Sequence, residues 1–174
     1  MAELLIRQAT LQDAYNIARV HVAAWQETYH GIMPQPYLDS LDVKSRADAW
    51  VSRLSQENCS VFVAATQDGQ ICGFISGGCI REPLQNFDAE FYGIYLLSAV
   101  KGQGIGKLLM YRLAETLRTD GFTKAMLWVL ADNPARGFYE RLGGQQINQK
   151  TVLIGGVDLL EISYGWCDLQ ALKP

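Results

Sequence analysis

The residues best suited to chemistry form a glycine-rich run, Lys-Gly-Gln-Gly-Ile-Gly, from Lys101 to Gly106. An apolar stretch precedes the run and a strongly amphipathic stretch follows it, so it lies between a predicted strand and a predicted helix. Glycines let backbone N–H groups approach an anion, and a helix N-terminus carries about half a positive charge. The run is therefore predicted to bind a phosphate group.

Two familiar phosphate-binding loops fit this run poorly. A Walker A loop requires Ser or Thr after Gly-Lys, but Leu108 follows Gly106 and Lys107, and Lys101 occupies the position of the first glycine. A dinucleotide-binding fingerprint spaces its last two glycines by two residues and follows the first strand of a βαβ unit. Here the spacing is one residue, and several predicted strands come first. A glycine-rich turn that binds nothing remains an alternative for the run alone.

The elements that must position this run follow from hydrophobic periodicity and from breakers such as Gly and Pro. The predicted strands are Leu4 to Ile6, Val61 to Thr66, Gln70 to Ile80, Phe87 to Leu97, Ala125 to Leu130, Gln145 to Ile154 and Val157 to Trp166. Four helices are predicted: one that starts at Thr10, one from Pro36 to Ser55, one that follows Gly106 and ends at Gly121, and one from Asn133 to Gly143. Seven strands and about four helices in this order predict one α/β domain (α+β) over residues 1–174, built on one mixed sheet.

Composition excludes several classes of function. With 174 residues, 49% of them hydrophobic, the chain suits one domain with a sizeable core. A net charge of -3 disfavours nucleic acid and membrane surfaces as partners. No apolar stretch approaches the roughly 20 residues of a membrane span, and no secretory signal is evident, so we expect a cytoplasmic protein. Two histidines and four scattered cysteines predict no metal site and free thiols.

Two runs together carry a resemblance to a known family. The run from Tyr95 to Gly106 and the run from Asn133 to Gly143 resemble the two central motifs of the GCN5-related N-acetyltransferase (GNAT) superfamily. Gly104 and Gly106 match the glycines of the first motif, whose usual Gln or Arg is Lys101 here. The resemblance implies a single GNAT-type domain with a mostly antiparallel, twisted sheet.

The resemblance also implies acetyl-CoA as co-substrate, bound between the strand that ends at Leu97 and the strand that begins at Ala125. Its pantetheine arm is expected to pair with the backbone of Tyr95, Leu96 and Leu97, and to contact Asn133. Its pyrophosphate is expected over the amides of the glycine run, namely Lys101, Gly102, Gln103, Gly104, Ile105 and Gly106.

Acetyl transfer to an amine requires a base, because keeping an alkylamine neutral at pH 7 costs about 4 to 5 kcal/mol. Glu90 is the predicted base, directly or through water, since it lies on the strand that leads into the glycine run and along an extended strand shares a face with Tyr92, Ile94 and Leu96. The resemblance places Tyr139 beside the departing sulfur, as a hydrogen-bond donor to the thiolate.

Trp25 and Tyr29 are the candidates for acceptor binding, because family members often bind the acceptor between their first two helices. The alternative for both is a place in the core, since they stand four residues apart on one helical face. The sequence identifies no particular acceptor.

The predicted function is transfer of acetyl from acetyl-CoA to a primary amine, on a small molecule or a protein, by direct attack in a ternary complex. Two alternatives stay open: a non-catalytic sensor or interaction module that binds acyl-CoA, and a transferase with another acyl donor. Family members often form homodimers, so a homodimer is an alternative to a monomer.

Overall fold

A computed structural model describes residues 4 to 173, and within this range seven strands form one sheet flanked by five α-helices. The strands are β1 (Leu5–Gln8), β2 (Cys59–Ala65), β3 (Ile71–Cys79), β4 (Ala89–Leu96), β5 (Ala125–Leu130), β6 (Gln145–Ile154) and β7 (Val157–Trp166). The helices are α1 (Ala14–Tyr29), α2 (Gln35–Asp39), α3 (Val43–Leu54), α4 (Ile105–Thr119) and α5 (Arg136–Arg141). The predicted mixed α/β fold is confirmed. None of these helices has the length and apolarity needed to cross a membrane.

The sheet has the strand order β1-β2-β3-β4-β5-β7-β6, and β4 and β5 are its one parallel pair among the described strands. Only Ala89–Glu90 of β4 pair with Ala125–Met126 of β5. Asp88 fastens the two strands at this point, because its carboxylate accepts hydrogen bonds from the amides of Thr123 and Lys124, both at 2.9 Å. Beyond the paired residues, β4 and β5 diverge and leave a cleft in the sheet.

Each face of the sheet carries a layer of helices. Helix α4 covers one face through Leu109, Leu113 and Leu117, which are fully buried in the first core cluster. Helices α1 and α3 cover the other face, where Ile17 and Trp50 belong to the second cluster. Because both faces are covered, the central strands are apolar on both sides, as in Val61 to Ala65 of β2.

A third, smaller core cluster joins the end of α1 to α2 and to the β6–β7 hairpin. Its buried members are Tyr29, Met33, Leu38 and Leu130. The cluster lies on the same side of the sheet as α1 and closes the ends of the strands next to the cleft.

The start of α1 is fixed by residues that the sequence indicated. The Thr10 amide donates to the Asp13 carboxylate at 2.7 Å, which is half of a capping box. Arg7 of β1 donates two hydrogen bonds to the same carboxylate, at 2.7 and 2.8 Å. Strand β1 and helix α1 are therefore held together by one bidentate ion pair.

Two predicted helices differ from those in the structure. The stretch from Pro36 to Ser55 forms two helices, because Asp42 is extended and caps α3 by accepting from the Ser45 amide at 2.7 Å. The last helix begins at Arg136 and not at Asn133. The Asn133 side chain instead accepts from the Ala135 amide two residues on, at 2.8 Å, which makes a tight turn before the helix.

Candidate active site

The candidate active site is the cleft of about 760 Å³ between the diverging parts of β4 and β5. Its walls come from β4 between Tyr92 and Leu96, from Trp128 and Val129 of β5, and from α1 and α5. One end of the cleft is formed by the glycine run and the first turn of α4. The cleft is therefore long, and it combines an apolar channel with an end built from backbone.

Strand β4 offers free backbone groups to the cleft. The Leu97 amide donates to the carbonyl of Cys72 at 2.9 Å, which directs it towards β3. Since backbone groups alternate along a strand, those of Tyr95 also face β3, and those of Ile94 and Leu96 face the cleft. An extended ligand could therefore pair with Ile94 and Leu96 as an added strand.

The glycine run adopts a shape that few other residues could adopt. Gly102 and Gly104 have φ angles of 76° and 79°, in the left-handed region, and Gly104 directly precedes α4. The first backbone N–H groups of a helix have no acceptor within it. At Gly106 a side chain would meet the Phe138 ring at 3.2 Å, so this glycine allows α5 to pack against α4. The run can therefore hold an anion on its amides.

Two side-chain hydrogen bonds hold the segment that leads into the run. Ser98 donates to Glu27 of α1 at 2.6 Å, and Gln103 donates to the carbonyl of Ala99 at 2.9 Å. The first of these ties the segment to a helix on the opposite side of the cleft.

Three tyrosines and one asparagine gather in the cleft near the third core cluster. Asn133 donates to the hydroxyl of Tyr29 at 3.2 Å. The Tyr139 hydroxyl makes no hydrogen bond with any residue between 4 and 173, and burial raises the pKa of Tyr139, with a smaller contribution from Tyr95. Tyr139 is therefore protonated at neutral pH and has a donor available for a ligand.

The cleft brings together most of the residues that the sequence analysis identified. Those that line it are Tyr29, Tyr95, Leu96, Lys101, Gly102, Gly104, Gly106, Asn133 and Tyr139. Those outside its lining are Trp25, Glu90, Leu97, Gln103 and Ile105. Trp25 lies behind Tyr29 in edge-to-face contact, with ring centroids 5.2 Å apart, and Ile105 is buried in the core.

Glu90 is buried and fully engaged by another residue. Arg81 donates to its carboxylate from the backbone amide and from Nε, both at 3.1 Å, and from Nη2. Only 3% of the Glu90 side chain is exposed. A carboxylate held in this way has little freedom to accept a proton from an amine, so the geometry does not favour the role of base predicted for it.

The expectation that Glu90 shares a face with Ile94 and Leu96 is wrong, because β4 contains a bulge. The pairing with β3 passes from Phe91 to Gly93 and leaves Tyr92 as an extra residue. Phe91, Ile94 and Leu96 all contact the first core cluster, whereas regular alternation would place Phe91 and Ile94 on opposite faces. Glu90 therefore faces the side of α1, away from Ile94 and Leu96.

The sequence analysis missed a charged group on that side of the sheet. The guanidinium of Arg81 lies 4.7 Å from the centroid of the Tyr92 ring, and Lys150 Nζ lies 4.3 Å from that of Trp128. Glu161, half-buried in β7, is opposite Lys150 in the strand register. No motif marks the three charged residues, which come from the segment after β3, from β6 and from β7.

Comparison with known proteins gives one family. The model of the "Acetyltransferase (GNAT) family" matches residues 20–144. The "Uncharacterized N-acetyltransferase YuaI" of Bacillus subtilis (strain 168) is 41% identical over 168 residues, which cover 97% of this chain and 95% of that protein. The spermidine N(1)-acetyltransferase of Thermoplasma acidophilum is 26% identical over 143 residues, with coverages of 79% and 86%.

Solved structures agree on the fold. The PaiA N-acetyltransferase from Thermoplasma acidophilum, in complex with coenzyme A, superposes with a TM-score of 0.68 at 21% sequence identity. The match covers 94% of this chain and 99% of that one.

Proposed function

The chain belongs to the acetyltransferase (GNAT) family, and we propose that it transfers acetyl from acetyl-CoA to a primary amine by direct attack in a ternary complex. We take residues 1–174 as one catalytic domain. The observation that carries the proposal is the cleft between β4 and β5, which ends at the left-handed glycines and the first turn of α4.

The residues of the cleft suit acetyl-CoA along its whole length. The pantetheine arm would pair with the cleft-facing backbone of Ile94 and Leu96. Of the three residues expected to pair with the arm, only Leu96 faces the cleft. The Leu97 amide donates to Cys72 and the Tyr95 backbone also faces β3, so Ile94 takes their place. The pyrophosphate would lie on the amides between Gly102 and Gly106, with the ammonium of Lys101 as a point charge.

Tyr139 is suited to assist the departing sulfur. A thiol of pKa about 8.5 gives a thiolate that is a weaker base than a tyrosinate, whose parent phenol has a pKa of about 10. Burial raises the pKa of Tyr139 further, which makes full proton transfer from this hydroxyl even less favourable. We therefore assign to Tyr139 a hydrogen bond to the developing thiolate.

Asn133 is engaged on both sides of its amide. Its oxygen accepts from the Ala135 amide, and its nitrogen donates to Tyr29. One N–H of the same nitrogen remains for a ligand. Asn133 would thus fix the position of Tyr29 while it contacts the pantetheine arm.

Two measurements test the proposal. Acetyl-CoA at 100 times its dissociation constant should stabilise the protein by about 2.7 kcal/mol, which a thermal shift detects. Release of CoA thiol should then depend on both acetyl-CoA and an amine, in a panel of monoamines, polyamines, amino acids and peptides.

The outcomes separate the proposal from its alternatives. No thermal shift with any acyl-CoA would contradict the binding site. A shift with no thiol release above the uncatalysed rate, for every amine, would favour an acyl-CoA sensor. A larger shift and faster turnover with succinyl-CoA or a longer acyl-CoA would identify another donor.

A further inference from the structure

The strand register places Glu161 next to the lining of the cleft, since its partner Leu130 follows the lining residue Val129, while Glu161 itself is outside that lining. Glu161 is opposite Leu130 of β5 and opposite Lys150 of β6. Directly opposed residues of antiparallel strands point to the same face, with Cβ atoms about 4.5 to 5.5 Å apart. Leu130 packs with Tyr29 in the third core cluster, and Tyr95 packs against the same cluster. Glu161 therefore lies on the sheet face where both tyrosines line the cleft.

The charges that act on this face do not balance. Arg81 forms an ion pair with Glu90, and Lys150 forms one with Glu82 at 3.2 Å. The Glu161 carboxylate makes no ion pair and no hydrogen bond with any residue from 4 to 173, whereas its backbone is paired within the sheet. One negative charge therefore has no partner of its own in this part of the protein.

The surroundings of Glu161 favour uptake of a proton. Burial raises the pKa of the Glu161 carboxyl, and the nearby carboxylates Glu82 and Glu90 raise it further. The positive charges of Lys150 and Arg81 act in the opposite direction, and the net pKa is raised. A general base is more effective when its pKa approaches the working pH.

Glu161 is also in electrostatic contact with the tyrosines of the cleft. Burial raises the pKa of Tyr95, and the negative charge of Glu161 contributes to that rise. Tyr95 in turn interacts with Tyr29, whose hydroxyl contacts Asn133. The carboxylate thus acts on Tyr95, one of the residues that surround the proposed site of acetyl transfer.

We propose that Glu161 is a catalytic residue, whose carboxylate binds the ammonium group of the acceptor and takes its proton. This inference rests on the proposed function.

Both protons that leave the acceptor nitrogen have an acceptor in the proposed reaction. One proton passes from the ammonium to the Glu161 carboxylate, and the neutral nitrogen bonds to the acetyl carbon while the carbon–sulfur bond breaks. The second proton leaves the nitrogen for the thiolate, which Tyr139 stabilises. Glu161 releases its proton to water, so the sum is ammonium plus thioester to amide, thiol and one proton.

The test compares Glu161→Gln with Asp158→Asn, a matched loss of one charge on the same strand at an exposed position. The acceptor is the best amine of the panel. Glu161→Gln should lower kcat/KM about 100-fold or more at pH 7. The loss should diminish as the pH approaches the pKa of the amine, because neutral amine then needs no base. Asp158→Asn should stay within threefold of the wild type.

The thermal shift with acetyl-CoA distinguishes a loss of the base from a loss of cofactor binding, since Glu161→Gln should leave this shift unchanged. The assignment is overturned if Glu161→Gln keeps a third or more of the wild-type kcat/KM, or if its loss does not depend on pH. Glu90→Gln is the rival variant, and a larger pH-dependent loss there would move the base to Glu90. Wild type that binds acetyl-CoA but acetylates no amine would instead refute the proposed function, and this assignment with it.

Discussion

Acidification from pH 8 to pH 5 should remove about 2 kcal/mol of folding stability through one side chain, His21. His21 of α1 is 7% exposed, and its ring contacts Trp50 of α3 and Phe74 of the sheet. Its Nδ1 accepts a hydrogen bond from Trp50 Nε1 at 3.2 Å, and its ring stacks on Tyr95 at a centroid distance of 4.9 Å. Burial lowers the pKa of His21 to about 3, and the positive charges of Arg46 and Arg53 contribute to the shift.

The magnitude follows from the difference between the two states. In the unfolded chain histidine has a pKa near 6.5, so below that pH the unfolded state takes up a proton that the folded state does not. Because the folded pKa is the lower one, the stability is complete above about pH 6.5 and is lost as the pH falls towards 3. At pH 5, about 1.5 pH units below the unfolded pKa, the loss of folding free energy is about 2 kcal/mol at 1.36 kcal/mol per unit. At pH 4 it is about 3 kcal/mol.

Urea unfolding followed by tryptophan fluorescence at pH 8 and pH 5 measures this loss. The matched variant is His21→Asn, which keeps an acceptor near the position of Nδ1 but cannot take up a proton. Its packing defect is the same at both pH values, so it cancels in the difference. The wild type should lose about 2 kcal/mol more than the variant, or about 4 to 8 °C in Tm. Parallel losses in the two proteins would refute the neutral, buried state of His21.

Four further variants probe the cleft, the two ends of α4 and the start of α1. Tyr139→Phe should lower kcat about 10- to 100-fold and change the KM for acetyl-CoA less than threefold, since it removes a hydrogen bond to a charged group; an unchanged kcat would exclude Tyr139 from the mechanism. Gly104→Ala and Gly121→Ala each place alanine in a left-handed conformation next to α4, which should cost about 1 to 2 kcal/mol of folding stability. Only Gly104→Ala should weaken the thermal shift with acetyl-CoA. Hydrogen bonds from Arg7 lower the pKa of Asp13 to about 2. Because Arg7 is 34% exposed, Asp13→Asn should cost only about 1 to 2 kcal/mol of folding stability at pH 7. In urea unfolding, the difference in stability between wild type and variant should disappear as the pH falls from about 4 to about 2.

The glycine run was predictable because it depends on backbone shape. Gly102 and Gly104 need positive φ angles, and Gly106 must let Phe138 approach, so the residue type itself records the geometry. The strands were predictable for a similar reason, since an apolar strand such as β2 has a simple pattern. What the pattern could not show is the bulge at Tyr92, because one extra residue in an apolar strand changes neither composition nor length noticeably.

The partners of the charged residues were not predictable either. Arg81 follows β3, and its hydrogen bonds with Glu90 depend on how β3 pairs with β4. Glu161 stands in β7, far from both motifs, and its place beside Leu130 depends on the register with β5. Sequence spacing identified Glu90 as the carboxylate nearest to the glycine run, but spacing along the chain carries no information on which carboxylate already has a partner.

This contrast explains why the family is easier to recognise than the acceptor. The part of the cleft that suits acetyl-CoA is built largely from backbone, so it constrains residue types only at a few glycines. The proposed acceptor side would be built from side chains of β5, β6, β7 and α1, which contact each other only in the folded protein. Substitutions at positions such as Trp128 or Glu161 could change the acceptor and leave both motifs intact. A relative that is 26% identical and named for spermidine can therefore share the fold with this chain without sharing its acceptor.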